Sequence, residues 1–262
     1  MPQTSESSES SSDAKRPGTI QSVSIAARFL RALANAEEPL ALAELARRTD
    51  AGRSTAHRYM QSLVKEGLAT QDPASGFYDL GPTALSVGIA ALKRTDAVEI
   101  AAQHMKKLAS QVAASAGVAI WTERGPTLVR WYRSAYFSIS SVGLGDILPV
   151  DNSACGHVFQ AFLPANQIEA ARRLQPRAFR GKPPSEETLD KIRSTFRSEF
   201  TSHLLPEITG QAVPVFDAQQ EIACAMTTVT NLGQIRNPKD AEALFETAKE
   251  VAFETGGLAL RD

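Results

Sequence analysis

Apolar positions along the chain follow two regimes, a helical one first and a mixed one after it. From Ile20, the residues Val23, Ala26, Ala27, Leu30, Leu33 and Ala34 recur at steps of three and four, drawing one apolar stripe along a helix. Asn35 to Pro39 interrupts it, and Leu42, Leu45 and Ala46 mark a short second helix ending near Thr49. Ala51-Gly52 supplies a tight turn, because glycine accepts backbone angles that other residues resist. A third helix over about 53–66 buries Ala56, Tyr59, Met60, Leu63 and Val64, turns Ser54, His57, Arg58, Gln61 and Lys65 outward, and stops at Gly67. Leu68 to Gln71 and Phe77 to Leu80 read as short strands around Asp72-Pro-Ala-Ser-Gly76, a segment with strong turn chemistry. Three helices and a hairpin predict a winged helix-turn-helix over 19–81, mainly α with a β-hairpin wing.

Pro82 opens a further helix to about Arg94, with Ala84, Leu85, Val87, Gly88, Ala91 and Leu92 available for burial. A helix this apolar beside a small domain needs a partner, either its own domain or a second subunit, and the second subunit is the preferred reading of this 82–95 linker. Asp96 then caps a longer helix to about Ser115, with Ile100, Met105, Leu108 and Val112 on its buried side. Beyond Gly117, Val118 to Thr122, Leu128 to Tyr132 and Ser138 to Val142 read as strands. Asn152 to Phe162, Gln167 to Leu174 and Ser185 to Phe200 read as helices. Gln211 to Phe216 and Ile222 to Thr230 form a hairpin around Asp217-Ala-Gln, and Pro238 to Phe253 closes the chain as a helix. Strands and helices in this order predict an α+β domain over 96–262, an antiparallel sheet flanked by helices.

Composition narrows the picture. Residues 1–18 form a Ser/Glu-rich tail that cannot offset the entropy of ordering. The 262 residues carry a formal net charge of −1, which excludes binding nucleic acid by bulk charge and rules against a purely architectural DNA binder. Two cysteines, Cys155 and Cys224, in unlike contexts argue against a disulfide framework and a structural zinc site. The four histidines, His57, His104, His157 and His203, lack metal-ligand spacing, and no glycine-rich phosphate loop is present, so neither metal nor cofactor is expected. With no membrane-span-length apolar run and no signal peptide, the expected location is cytoplasmic.

Charge is concentrated at one place. From Arg47 to Lys65, five Lys/Arg stand against one acid, Asp50, a local charge of +4 in a nearly neutral chain. Ser54, Thr55, His57, Arg58 and Gln61 occupy the start and outer face of the third helix, where a recognition helix enters the major groove. Arginine takes guanine, and glutamine takes adenine, with two hydrogen bonds each. Arg47, Arg48 and Lys65 sit where phosphates would, positioning without specifying. A solvated amphipathic face would account for the helix alone, but not for the turn, the preceding short helix and the wing together.

The run LALAELARRTDAGRSTAHRYMQSLVKEGLATQDPASGFYDLG resembles the DNA-binding domain of the IclR (isocitrate lyase regulator) family, and IQSVSIAARFLRAL resembles that family's first helix. LPVDNSACGHVFQAFLP resembles the loop and helix bordering its effector pocket, and QAVPVFDAQQEIACAMTTVT its strand hairpin. The resemblance runs from about Ile20 to the end. It implies a dimer or a dimer of dimers on partly palindromic operator DNA, more often as a repressor, with one small-molecule effector per C-terminal domain. The expected DNA-facing set is Gln21, Arg47, Arg53, Ser54, Thr55, His57, Arg58 and Gln61. The family's pattern lines the pocket with Phe137, Ser140, Leu148, Ala154, Cys155, Pro214, Thr227 and Val229, with strand register open near Thr227-Thr228.

Ser153-Ala154-Cys155-Gly156 places four small residues at a helix start, where exposed N–H groups suit a carboxylate, although close packing of helix on sheet would use the same residues. A small organic acid, aromatic ones included, is therefore the expected effector. The alternative function is an enzyme with an accessory DNA-binding domain and Cys155 as nucleophile. Cys155 and His157, two apart on a helix, point in different directions, so a buried structural cysteine is the preferred reading.

Overall fold

A computed structural model describes residues 20–112, 114–133, 142–201, 208–231 and 238–260. The chain divides into two compact units, one ending at Arg94 and one starting at Thr95. No helix among the described residues is long and apolar enough to cross a membrane.

In the first unit, α1 (Gln21–Ala34), α2 (Leu42–Arg48) and α3 (Arg53–Lys65) precede a hairpin of β1 (Ala69–Gln71) and β2 (Tyr78–Leu80), and α4 (Pro82–Leu92) follows. Phe29, Leu33, Leu45, Ala56, Met60, Leu63 and Tyr78 form the core. The buried face of α1 is therefore centred on Phe29 (0 % exposed), which stacks on Tyr59 at 5.8 Å, while Val23 is 64 % exposed. The expected stripe was rotated because it ran through small and branched residues rather than the one aromatic that fills the space.

The α2–α3 turn corrects a second expectation. Gly52 has an ordinary φ of −62° as the residue before α3, and Asp50 (φ +50°) takes the left-handed position instead. The amide of Ala51 donates to the Ala46 carbonyl and that of Asp50 to the Arg47 carbonyl, the paired bonds of a Schellman motif closing α2. The Arg28 guanidinium reaches the Thr49 carbonyl at 3.2 Å, tying α1 to the same corner.

The second unit holds α5 (Ala97–Ala109), β3 (Ser115–Thr122), β4 (Gly125–Tyr132), α6 (Ala154–Phe162), α7 (Ala165–Leu174), a 3-10 turn (Arg177–Phe179), α8 (Glu186–Thr195), β5 (Ser198–Thr201), β6 (Ile208–Phe216), β7 (Ile222–Asn231) and α9 (Pro238–Thr255). The strands form one antiparallel sheet in the order β4-β3-β7-β6-β5. One face carries α5 and α9 over Val118, Val213, Val215 and Met226, and the other carries α6 over Ala119, Ala212 and Ala225. Asp96 caps α5 by accepting from the Val98 and Glu99 amides.

Two helices end earlier than the pattern predicts. α5 stops at Ala109, leaving Ser115 to begin β3. α8 stops at Thr195, where Phe196 turns left-handed (φ +55°) and docks its ring against Phe162 and Phe216, and Ser198 to Thr201 become the edge strand. Of the strand expected at Ser138 to Val142, only Val142 falls within the described residues.

Candidate functional site

α3 buries Ala56, Met60 and Leu63, so the residues between them face outward: Arg53, Ser54, His57, Arg58 and Gln61 are exposed and Thr55 is half-buried. Gly52 brings no side-chain cap to this helix, and no acid sits in its first turn. Among the described residues, Arg53, Arg58 and Lys65 have no acidic partner. α2 is different. Glu44, in its first turn, accepts from Arg47 Nε and Nη2 at 2.8 and 2.6 Å and from Arg48 Nε at 2.6 Å. Those hydrogen bonds hold the Glu44 carboxyl down at about 2. Sequence reading missed this acid because it lies just outside the basic run. Gln21 is exposed at the start of α1.

The second unit contains a cavity of about 640 Å³ between the sheet and the start of α6. Its floor follows two cross-strand rows. In one, Trp131, Gly117, Thr227 and Ala212 lie side by side; in the other, Val229, Gly210 and Phe200 do. Gly117 leaves room for the indole, since a Cβ there would stand 2.8 Å from Trp131 Cε3. The register near Thr227 is thereby fixed: Thr227 and Val229 line the cavity and Thr228 does not. Thr227 Oγ1 donates to the Gln211 carbonyl at 2.7 Å and also meets the Cys155 thiol, so its hydroxyl is engaged within the wall.

Leu148, Ser153, Ala154 and Cys155 line the cavity wall, but Pro214 and Gly156 do not reach it. Pro214 shares the sheet face yet sits opposite Ala225, four residues along β6 from Gly210. Gly156 is pressed onto the Val150 carbonyl, where a Cβ would stand 2.1 Å from the oxygen, and its amide donates to Ser153 Oγ at 2.9 Å. The amide of Ala154 remains without an acceptor among the described residues, as first-turn amides do unless something caps them, while that of Cys155 faces its own thiol. Phe137 and Ser140 lie outside the described residues.

The wall is stapled from behind by α7 and the segment after it. Gln175 accepts from the Val150 amide and donates to the Arg124 and Leu148 carbonyls, each at 2.9 Å. Buried Asp151 (2 % exposed) is held by Arg172 Nε at 3.0 Å and Nη2 at 2.8 Å. Asn152 Nδ2 donates to the Phe179 carbonyl at 2.9 Å. Arg124 and Asp146 both line the cavity, and Arg173, Arg177, Arg180 and Lys182 are exposed along the segment that supplies Pro176, Ala178 and Phe179 to the wall. None of these five cations has an acidic partner among the described residues. The signal for this rim was in the sequence, an acid-free RRLQPRAFRGK.

Burial pushes the Cys155 thiol up to about 12, so it is protonated at neutral pH. His157 Nε2 donates to the Asp151 carbonyl at 2.9 Å, and burial lowers its affinity for a second proton. Neither group is placed to activate the other, which removes the basis for a cysteine nucleophile.

Residues 22–73 match the IclR helix-turn-helix domain, and residues 89–254 match the bacterial transcriptional regulator IclR C-terminal domain. The chain belongs to the IclR family. The glycerol operon regulatory protein of Streptomyces coelicolor is 27% identical over 250 residues, covering 90% of this chain and 97% of that protein. The crystal structure of Pseudomonas aeruginosa HmgR superposes with a TM-score of 0.79 at 28% identity, covering 91% of this chain and 99% of that one. An IclR homolog from Microbacterium hydrocarbonoxydans, crystallised with 4-hydroxybenzoate, shares the fold at a TM-score of 0.51 and 19% identity, over 89% of this chain and 98% of that one. This IclR-family chain is thus a DNA-binding transcriptional regulator and not an enzyme.

Proposed function

We propose that this IclR-family regulator represses transcription by binding operator DNA as a two-fold oligomer, and that a small organic acid in the cavity of the second unit controls its grip. α3 would read bases through Arg58 and Gln61, with Arg47, Arg53 and the free amides at the start of α3 on phosphates. Such a role places it in the cytoplasm with the chromosome. The oligomer reading rests on α4, which buries none of its residues and exposes Leu85, Val87, Ile89 and Leu92. An apolar helix of this kind calls for a second copy, and a two-fold pair doubles the bases read.

The observation that carries the effector reading is the acceptorless amide of Ala154 at the start of α6. It belongs to a cavity whose lining is largely apolar and whose charged lining residues are Arg124 and Asp146. A carboxylate would accept from this amide in the positive field of the helix start, with Leu148, Trp131 and Phe200 against its apolar body. Calorimetry on the full chain tests this with benzoate, 4-hydroxybenzoate and small aliphatic carboxylates, each beside its primary amide. The expected result is binding of at least one acid and of no amide. Tight binding of a neutral amide would refute the carboxylate role. Light scattering on the same sample should give at least a dimer, and Leu85→Asp with Leu92→Asp should dissociate it.

A further inference from the structure

Two sets of cations serve one DNA-binding unit, and they are not in the same state. Those of α3 have no acidic partner among the described residues, whereas Glu44 holds both arginines of α2, Arg47 by a two-pronged pair and Arg48 by a single bond. We infer that Glu44 is a specificity-determining residue that restrains sequence-independent DNA binding by competing with phosphates for Arg47 and Arg48. The inference rests on the reading that Arg47 touches phosphate.

Sequence-independent affinity comes almost wholly from cations neutralising phosphates. A loosely registered complex uses Arg47 only if the guanidinium leaves Glu44, or if the carboxylate is carried close to the phosphate chain. Either route costs free energy for every phosphate the arginine samples. In the operator complex the base contacts of α3 fix the register, so one orientation of Arg47 can serve Glu44 and a single phosphate together, and the same cost is smaller. The restraint is modest, because both arginines are substantially exposed and exposed pairs are screened by solvent and salt. It is also permanent, since the carboxyl held at about 2 stays ionised throughout the physiological range. For a chain whose net charge is −1, attraction to any duplex must come from local patches such as this one, which makes a restraint on it consequential.

The test is a titration by fluorescence anisotropy of the full chain and of Glu44→Gln against two short duplexes across a salt series. One duplex has random sequence; the other is an operator selected from a random pool by the unmodified protein. Glu44→Gln should bind the random duplex about three- to tenfold more tightly at low salt, with a log–log salt slope steeper by about 1. Operator affinity should rise less than about twofold, so discrimination falls. Circular dichroism should show the fold unchanged, and lost helix packing would not steepen a salt slope. Equal gains on both duplexes would reduce Glu44 to a net-charge effect and overturn the inference, and a loss on both would make it an orienting group and overturn it too. Arg47→Ala separates this from the underlying reading: it should weaken both duplexes and flatten the slope by about 1. Unchanged binding by Arg47→Ala would refute the phosphate contact, and the inference with it.

Discussion

The two candidate ligand-facing surfaces of this regulator are built in opposite ways. On α3 the candidate groups are side chains, exposed and with no acidic partner among the described residues, on a helix whose other face buries Ala56, Met60 and Leu63. Around the cavity the candidate group is a backbone amide, and the neighbouring polar side chains are committed to structure: Ser153 caps α6, Gln175 bridges three segments, and Asp151 is locked to Arg172. A surface that reads many bases can keep its donors on flexible stems. A pocket that orients one small molecule needs donors that do not move, and a helix-start amide on a stapled wall meets that need.

If this contrast holds, the wall should be intolerant of change and the α3 surface tolerant of it. The largest effect is expected from Arg172→Met, which leaves the Asp151 carboxylate buried without its partner. Loss of one member of a buried pair costs about 3–5 kcal/mol, read as a lower urea midpoint for the second unit. An unfolding curve indistinguishable from the unmodified protein would show the staple to be decorative. Next comes Arg58→Ala, expected to weaken operator binding by about 1–3 kcal/mol with an unaltered unfolding curve. Unchanged operator affinity would remove Arg58 from the base-reading set. The smallest effect should be Asp50→Gly at the α2–α3 turn. Relief of the left-handed strain outweighs glycine's added chain entropy by roughly 0.5 kcal/mol, seen as a small rise in thermal midpoint. A lower midpoint would mean that Asp50 has a role beyond shaping the turn.

The same contrast explains what could be read from the sequence. The α3 face was legible because helical spacing assigns each side chain to a face, and Arg53, Ser54, His57, Arg58 and Gln61 all fall outward as that spacing requires. The wing and the inner strands of the sheet were legible from apolar runs and turn residues, but the edge strand Ser198–Thr201 was not. Details set by tertiary fit were not. Phe29 rather than Val23 anchors α1, and Phe196 ends α8 because its ring fits between Phe162 and Phe216. Asp50 rather than Gly52 makes the turn, a choice that depends on where α2 ends by two residues. At the cavity, the residues that the family resemblance implied divide: Ala154, Cys155, Thr227 and Val229 line it, whereas Pro214 lies too far along β6 and Gly156 is spent on packing, neither of which sequence shows. Gln175, the most heavily used polar group of the wall, carries no sequence signal, since a glutamine at a helix end is ordinary.

The central claim is that a carboxylate at the start of α6, on the Ala154 amide, controls the grip of α3 on DNA, and operator affinity in the presence of ligand tests it most directly. The titration uses the selected operator duplex, a panel of small aliphatic and aromatic carboxylates beside their primary amides, the unmodified protein and Ala154→Leu. The account predicts that at least one acid weakens operator binding of the unmodified protein by about tenfold or more, within the range of ordinary coupling energies. Its amide should have no effect, and Ala154→Leu should bind the operator normally while ignoring the acid. Release of DNA by an amide as readily as by its acid, or an undiminished response in Ala154→Leu, would contradict it.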